Sequence, residues 1–571
     1  MVSRRFSRGS AAGNIITILL LLGIVALGAW LWLFRKSDAP AEGRAQAQTQ
    51  TESAQPQGES GVSKPAGDAP QPIEPVVGTP TLEAANTYVP KDDTIRIDIS
   101  EYAGYGGLIV ANGGLDPNPD SFFAREYGFK VQITMSEDET WGPLNNGKLA
   151  ATATTTDALA VLGRQFEAVV PVQIGYSRGA DMVVVDRGIT SVNALAGKTL
   201  AASQFNESEF FIRYLAQEAG VRVTVLRDSD SKPSAGTLGL VFYNDAFEAC
   251  DAYQHDLASG AKRLNGCVGW TPKTDEVVEA SNGAAKVLVS NRNLLVIADV
   301  LAVNKGFAKA NPKMVQGLVH GILEGNRRLR DNQAENLAVV AKAFKWSEAD
   351  AKDELSRVHL SNAPENRAFF AGTIDSAGSF GGIFQSSVLA YGSLIRNAAD
   401  PARFIETAAL DLVAKRSPFS EQQIAIAPIR TASQAALEGD PLLSKDIRFF
   451  FEPNSSNLDR NAPQNQEYLQ TIKRFLQVSP GSTVVLRGHV DNARVNEFRQ
   501  SGGDQLVQSM ALKAMELSRQ RAIAVHDALL AKYPDIDKSR VEAVGRGWEE
   551  PTNSTDAAQN RRVEVQWFTI E

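Results

Sequence analysis

Cysteine is nearly absent. Cys250 and Cys267 are the two in a chain of 571 residues, which excludes a disulfide-framework fold and a cysteine-rich zinc module. In an oxidising compartment they can bridge across a short loop, and in a reducing one they stay as buried thiols; the spacing does not choose. Histidine is scarce too, with five. His255, His320, His359, His489 and His526 are scattered, with no H-E-x-x-H pattern and no His/Cys cluster at metal-ligand spacing. There is no P-loop, and Gly104-Tyr105-Gly106-Gly107 is too short to cradle a phosphate by itself. The chain therefore reads as a binding protein rather than an enzyme, without cofactor or metal. Positive charge is not in excess either: 58 Lys and Arg against 66 Asp and Glu leave a net charge of −8, so no nucleic-acid partner is expected.

What the chain does have begins with an apolar run. Residues 14–34 contain Ile15-Ile16-Thr17-Ile18-Leu19-Leu20-Leu21-Leu22 and continue to Trp30 and Trp32. About 20 apolar residues at 1.5 Å rise cross the ~30 Å hydrocarbon core of a bilayer. Arg4, Arg5 and Arg8 precede the run, which holds residues 1–13 in the cytoplasm. A cleaved signal peptide is the competing reading, but the run is long for one and no clean A-x-A site follows it. No cysteine follows it either, so a lipoprotein anchor is excluded. The expectation is one transmembrane helix in the inner membrane, with the bulk of the chain periplasmic. The helix holds no acid, so it does not read as an ion-conducting span of the MotB or TolR type. Residues 35–92 are rich in Ala, Gln, Pro, Gly, Ser and Glu, the composition of a disordered tether.

Residues 93–415 alternate between strand and helix patterns. Thr94–Ile99, 129–135, 182–185, 198–202 and 239–243 read as strands, and from Asn311 onward the apolar spacing is helical. This is an α/β domain with a mainly parallel sheet. Open α/β sheets bind ligands at the C-terminal ends of their strands. That rule selects Tyr105 and Gly106 (with Tyr102), Thr155, Thr156 and Asp157, Ser203 and Asn206, and Asn244. Hydroxyls and helix N-termini there suit a small oxyanion; each residue alone also fits an N-cap or a packing role. Gly175-Tyr176-Ser177-Arg178-Gly179-Ala180-Asp181, Thr154-Thr155-Thr156-Asp157 and Ile297-Ala298-Asp299 resemble periplasmic ABC-transporter solute-binding proteins of the nitrate, sulfonate, taurine or phosphate type. The resemblance implies two α/β lobes closing on a small ligand.

A joint over 416–444, punctuated by Ser417-Pro418 and Gly439-Asp440-Pro441, leads to the last domain, 445–571. Its signature is Val485-Leu486-Arg487-Gly488-His489-Val490-Asp491, then Leu517-Ser518-Arg519-Gln520-Arg521, then Asn560-Arg561-Arg562-Val563. A strand delivers an acid, Asp491, and a helix start delivers a base, Arg521. Such a pair fits a structural ion pair; it fits equally a holder for a zwitterion, the acid taking the ammonium and the guanidinium the carboxylate. The motifs resemble the OmpA-like domain of OmpA, MotB and Pal-type proteins, an α+β fold. The resemblance implies binding of the diaminopimelate peptide of peptidoglycan through Asp491 and Arg521, with Asn560 and Arg562 beside them. An insert is expected at 499–504.

Together these readings describe an inner-membrane-anchored periplasmic protein that holds peptidoglycan non-covalently and presents a solute-binding-protein-like module. Two alternatives stay open. One is the substrate-binding component of an ABC transporter for a small oxyanion, serving an inner-membrane permease. The other is a sensory or structural envelope component working with a MotA/TolQ-like protein.

Overall fold

The computed structural model describes residues 69–568 except 293, 375–377, 427–442, 452–454, 460–461, 479–481 and 552–559. The expected membrane span, 14–34, lies outside the described residues, as does most of the expected tether. No helix among the described residues is long and apolar enough to cross a membrane.

The tether reading needs correction at its end. Residues 69–92 lie extended along the next domain instead of leaving it free. Ile73 N–H donates to the Phe242 carbonyl (2.9 Å), and Val76 exchanges hydrogen bonds with the Gln204 side-chain amide (2.9 and 3.1 Å). Leu82 N–H reaches Gln165 Oε1 (2.9 Å) and Asn86 N–H the Asn145 carbonyl (2.9 Å). Composition did not show this, because Ile73 and Leu82 are isolated apolar anchors in a Pro-rich strap and make no periodic pattern.

The following domain is built from β1 (Thr94–Ile99), β2 (Lys130–Met135), β3 (Ala151–Thr155) and β4 (Ala168–Ser177). A second group comprises β5 (Asp181–Asp186), β6 (Thr199–Ser203), β7 (Arg222–Val225), β8 (Thr237–Tyr243), β9 (Gly266–Trp270) and β10 (Ala285–Ser290). The chain then returns with β11 (Ala298–Asn304) and β12 (Val358–Leu360). These strands form two six-stranded sheets, ordered β12-β4-β11-β3-β1-β2 and β10-β5-β9-β6-β8-β7. All seven residues of β8 are buried, the continuous apolar run of a strand covered on both faces. The expectation of a mainly parallel sheet is corrected: β1, β2 and β3 run parallel, but β11 is antiparallel to β3 and β4, and β5 to β9 and β10. The antiparallel strands are the ones that carry the chain between sheets. They cross twice, at Ser177–Asp181 and between Ser290 and Ala298.

The crossings are tied by Asn291, whose Nδ2 donates to Asp181 Oδ2 (3.1 Å) and whose Oδ1 accepts from Gly179 N–H (2.7 Å). Two lobes on two connecting segments form a hinge. Helix Pro312–Asp331 buries Val315, Leu318, Val319, Ile322, Leu323 and Leu329 on the first lobe. Cys250 and Cys267 are bridged, stapling helix Ala246–Ser259 to β9 in the second lobe. A loop of this length is stabilised by ~3 kcal/mol.

The last domain is a four-stranded sheet of β13 (Leu443–Ile447), β14 (Thr483–Gly488), β15 (Val541–Gly545) and β16 (Val563–Phe568), ordered β13-β16-β14-β15. It is covered by helices Pro463–Val478 and Val495–Lys532, the expected α+β layer. Its edge strand is not left bare. Ser444 N–H donates to Asn193 Oδ1 (2.8 Å) and its carbonyl accepts from Asn193 Nδ2 (3.0 Å), so a second-lobe side chain pairs the exposed edge. Beside this contact Arg474 meets the buried Glu218 at 2.7 Å.

Candidate functional site

Two sites were expected, one in the last domain and one in the cleft between the lobes. In the last domain, β14 carries Val484, Val485 and Leu486 into the core and ends at Gly488. A Cβ on Gly488 would lie 2.0 Å from the Ser518 carbonyl oxygen, and one on Gly545 2.6 Å from that of Met515. Both strand ends thus press on the backbone of the long helix, which only glycine permits. Ser518 is small enough for this approach; its Oγ accepts from Gly547 N–H (2.9 Å) and donates to the Met515 carbonyl (2.7 Å). Arg521 follows by three residues and so shares its helix face. Asp491 follows Gly488 by three residues in the loop over the same strand ends.

The acid and base therefore share one neighbourhood, and Arg561 joins them. Asp491 Oδ2 accepts from Arg561 Nη1 (3.0 Å) and Oδ1 from Ala493 N–H (3.2 Å). Arg521 directs Nε and Nη2 to the Ser455 carbonyl (3.3 Å each) and lies 5.2 Å over the Phe451 ring. Burial lowers its pKa, the Arg561 charge lowers it further, and Asp491 opposes both. Among the described residues no carboxylate pairs with Arg521.

The cleft between the lobes is a different environment. Asp157 lies in the first turn of helix Thr156–Leu162, and Glu207 opens helix Glu207–Glu218 across the cleft. Thr155 Oγ1 donates to Glu207 Oε2 at 3.5 Å, joining the lobes. Asp181 stands at the first crossing and Asp299 on β11, where it accepts from the Tyr105 hydroxyl at 3.3 Å. Asp157, Asp181 and Asp299 are buried. Burial first, then the neighbouring acids, pushes Asp157 up to about 8 and Glu207 to about 8. Asp181 rises to about 7 through burial and Asp157, against hydrogen bonds from Ser177 and Asn291. Asp299 is driven well above the carboxylate range by burial, Asp181 and Glu207. Glu137 and Glu139, on the loop after β2, are raised in the same way, Glu137 to about 7.

Residues 450–564 match the OmpA family. They form an OmpA family domain. No curated protein matches the chain. Among the solved structures it is similar to are three periplasmic binding proteins. The alkanesulfonate-binding protein SsuA of Xanthomonas axonopodis pv. citri, bound to MOPS, is 13% identical, covering 56% of this chain and 100% of that one, with a TM-score of 0.42. The Escherichia coli aliphatic sulphonate binding protein SsuA is 14% identical over 60% of this chain and 99% of its own, with a TM-score of 0.41. The nitrate-binding protein NrtA of Synechocystis PCC 6803 is 11% identical over 61% and 94%, with a TM-score of 0.42.

In the OmpA domain the Asp491 charge acts on Arg521 without pairing with it, and Asn560 and Arg562 are buried. Arg562 donates to the Glu550 carbonyl (3.3 Å) and stands 3.7 Å from Glu564. Arg561 was missed. The signal was present, since Arg562 shares a strand face with Glu564 at i, i+2 and so belongs to a network rather than a rim. The helix does not start near Leu517, as read from the sequence, but at Val495. It breaks at Gly502 and Gly503 (φ 64°) and continues, so Arg521 is mid-helix. The expected insert is this joint, and ahead of it Phe498 stacks on Trp548 at 6.3 Å. His489, Glu550 and Glu564 come within 4.8 Å of one another, as a metal trio would. Arg487, 2.7 Å from Glu550, and Arg562 already neutralise that pair of acids.

In the cleft, Tyr105, Thr155 and Asp157 join the acidic group, and Asn206 reaches Glu139 while capping its helix through Ser208 N–H (3.1 Å). Gly106 does not face a ligand: a Cβ there would meet Leu329 at 3.1 Å. Thr156 ties to the Ala298 carbonyl (3.3 Å), Ser203 to that of Asn244 (3.5 Å), and exposed Asn244 to Glu248 (2.8 Å). Asp181, Glu207 and Asp299 were missed, although an acid opening an apolar strand, as in Ala298-Asp299-Val300, is itself a signal. Asp157 and Glu207 already occupy the two helix N-termini where an anion would sit.

Proposed function

We propose that the chain is an envelope-tethered binding protein that docks to peptidoglycan through its OmpA domain and presents a hinged ligand-binding module. The observation that carries this reading is the Asp491–Arg521 arrangement. Asp491 is partly accessible and satisfied by an arginine; Arg521 spends its donors on one backbone carbonyl. A ligand bearing an ammonium beside a carboxylate, as diaminopimelate does, complements both groups. Residues 14–34 anchor the chain in the inner membrane in this proposal, and the residues up to 68 set its reach. A second reading, delivery of a solute to a permease, has the two-lobed fold and hinge in its favour. The apolar run over 14–34 carries no acid for ion flow, so an ion-driven role with a MotA/TolQ-like partner has less support.

The test is pull-down of the full chain on purified peptidoglycan sacculi beside Asp491→Ala and Arg521→Ala. Binding by the wild type and loss of at least ~10-fold in each variant is the expected result, as for removal of one partner of a charge-assisted pair. Equal retention by all three would remove the wall from the function.

A further inference from the structure

We propose that the interlobe cleft binds an organic cation carrying more than one ammonium or amidinium group, such as an aliphatic polyamine, held between Asp157, Asp181, Asp299 and Glu207. The inference rests on the middle domain being a ligand-binding module, and it names the ligand's class. Four observations converge.

The first is sign. The cleft acids are shifted by burial and by one another, and the charged groups that act on them are carboxylates. Glu137 and Glu139 bring two more from the same side.

The second is a missing partner. Asp157 is fully buried, and neither of its oxygens makes a hydrogen bond of ordinary geometry. Thr155, the hydroxyl beside it, moderates its rise in pKa but donates to Glu207 at 3.5 Å. Asp299 Oδ2, also buried, is likewise unpartnered. Buried carboxylate oxygens without donors are rare in folded proteins, and these face the cleft acids of both lobes. A ligand ammonium supplies three donors and the charge the site lacks.

The third is spacing. Among the described residues, no three cleft acids bring oxygens within 4.8 Å of one another. They are too far apart to share one metal ion but suit separate cationic groups on one extended molecule.

The fourth is the aromatic surround. Tyr102 and Tyr105 stand edge to face at 5.2 Å beside Asp299, and Trp270 pairs in register with Asp181, its Nε1–H unpartnered. Such rings line alkylammonium sites by cation–π attraction.

The test is calorimetric titration of the full chain with putrescine, spermidine, taurine, nitrate and Ca²⁺, beside Asp157→Asn and Asp299→Asn, with thermal unfolding as the check that each variant folds. Saturable binding of an amine, weakened at least ~10-fold by either substitution, supports the proposal. Binding of taurine or nitrate but not of the amines overturns it, as does binding of Ca²⁺ alone, amine binding indifferent to both substitutions, or no amine binding at millimolar concentration. Sacculus pull-down on the same preparations separates this outcome from the wall reading: a chain that pulls down but binds no amine fails here alone.

Discussion

Glu564 in the OmpA domain and Asp157 in the cleft are both buried acids, and their surroundings treat them oppositely. Burial alone would raise Glu564, but His489, Gln566 and Arg487 hold its carboxyl down at about 2. Asp157 meets burial and Glu207, and rises to about 8. One acid has been given its counter-charges by the fold; the other has not. A buried network complete in itself is structural, whereas one left open is waiting for something from outside the chain. Paired acids hold a domain together, and unpaired ones define what enters it.

The comparison breaks most visibly if the paired acid is removed. Glu564→Gln takes the counter-charge from buried Arg562 and leaves Arg487 with Glu550 alone, and taking one member from a buried charge network costs ~3–5 kcal/mol. Hydrogen exchange at the amides of β14 and β16 should accelerate accordingly, with little change in the two-lobed domain. In the cleft the same kind of substitution has the other sign: Asp157→Asn, without ligand, should stabilise at neutral and higher pH, because it removes a group that must take up a proton on folding or, above about pH 8, be buried with its charge uncompensated.

Titration sharpens the contrast. Asp157, Asp181 and Glu207 have folded pKa values raised to about 8, 7 and 8. The folded state therefore binds more protons than the unfolded chain, and the stability this contributes is full below about pH 4 and lost as pH rises toward about 8. Glu137, Glu139 and Asp299 face these groups, with Tyr102, Tyr105 and Tyr391 around them. Arg213, the nearby cation, is already paired with Glu209 at 2.7 Å. Glu564, with its pKa lowered, contributes above about pH 4.5 and loses that contribution as pH falls toward about 2. Differential scanning should show the two-lobed domain melting earlier at pH 9 than at pH 5, and the OmpA domain melting earlier at pH 2 than at pH 5. Each group changes by at most ~1.4 kcal/mol per pH unit. Parallel shifts in both domains would dissolve the contrast.

These differences also explain what could be read in advance. The OmpA domain was legible because its site is made by local rules: Gly488 and Gly545 admit the helix backbone, Ser518 keeps the contact small, and Arg521 follows at helical spacing. Each rule leaves a residue type at a fixed offset. The strands of the lobes were legible for the same reason, as apolar runs between turn residues. The cleft was not, because Asp157, Asp181, Glu207 and Asp299 come from four separate segments and two lobes. Each looks unremarkable where it stands, one in a helix's first turn, two opening strands and one at a helix start. Only the hinge tied by Asn291 assembles them, and no sequence offset encodes that assembly. The strap over 69–92 escaped notice because two isolated apolar anchors carry no period.

The smallest expected effect tests where the contrast ends. Arg561 and Asp491 are half-exposed and partly exposed, 3.0 Å apart, and such a pair is worth ~0–1 kcal/mol. Arg561→Ala should therefore leave the OmpA domain's melting temperature within a degree or two of the wild type's. Its effect on the wall is the informative part. Arg561 sits on the oxygen that a ligand ammonium would need, and its charge opposes that of Arg521. If it only holds the place, removing it frees Asp491, and sacculus binding is retained or strengthened within ~3-fold, most clearly at low salt. A loss as large as that of Arg521→Ala would instead make Arg561 a ligand contact. The wall site would then be one acid between two bases, tuned to a ligand with more carboxylate than ammonium to offer.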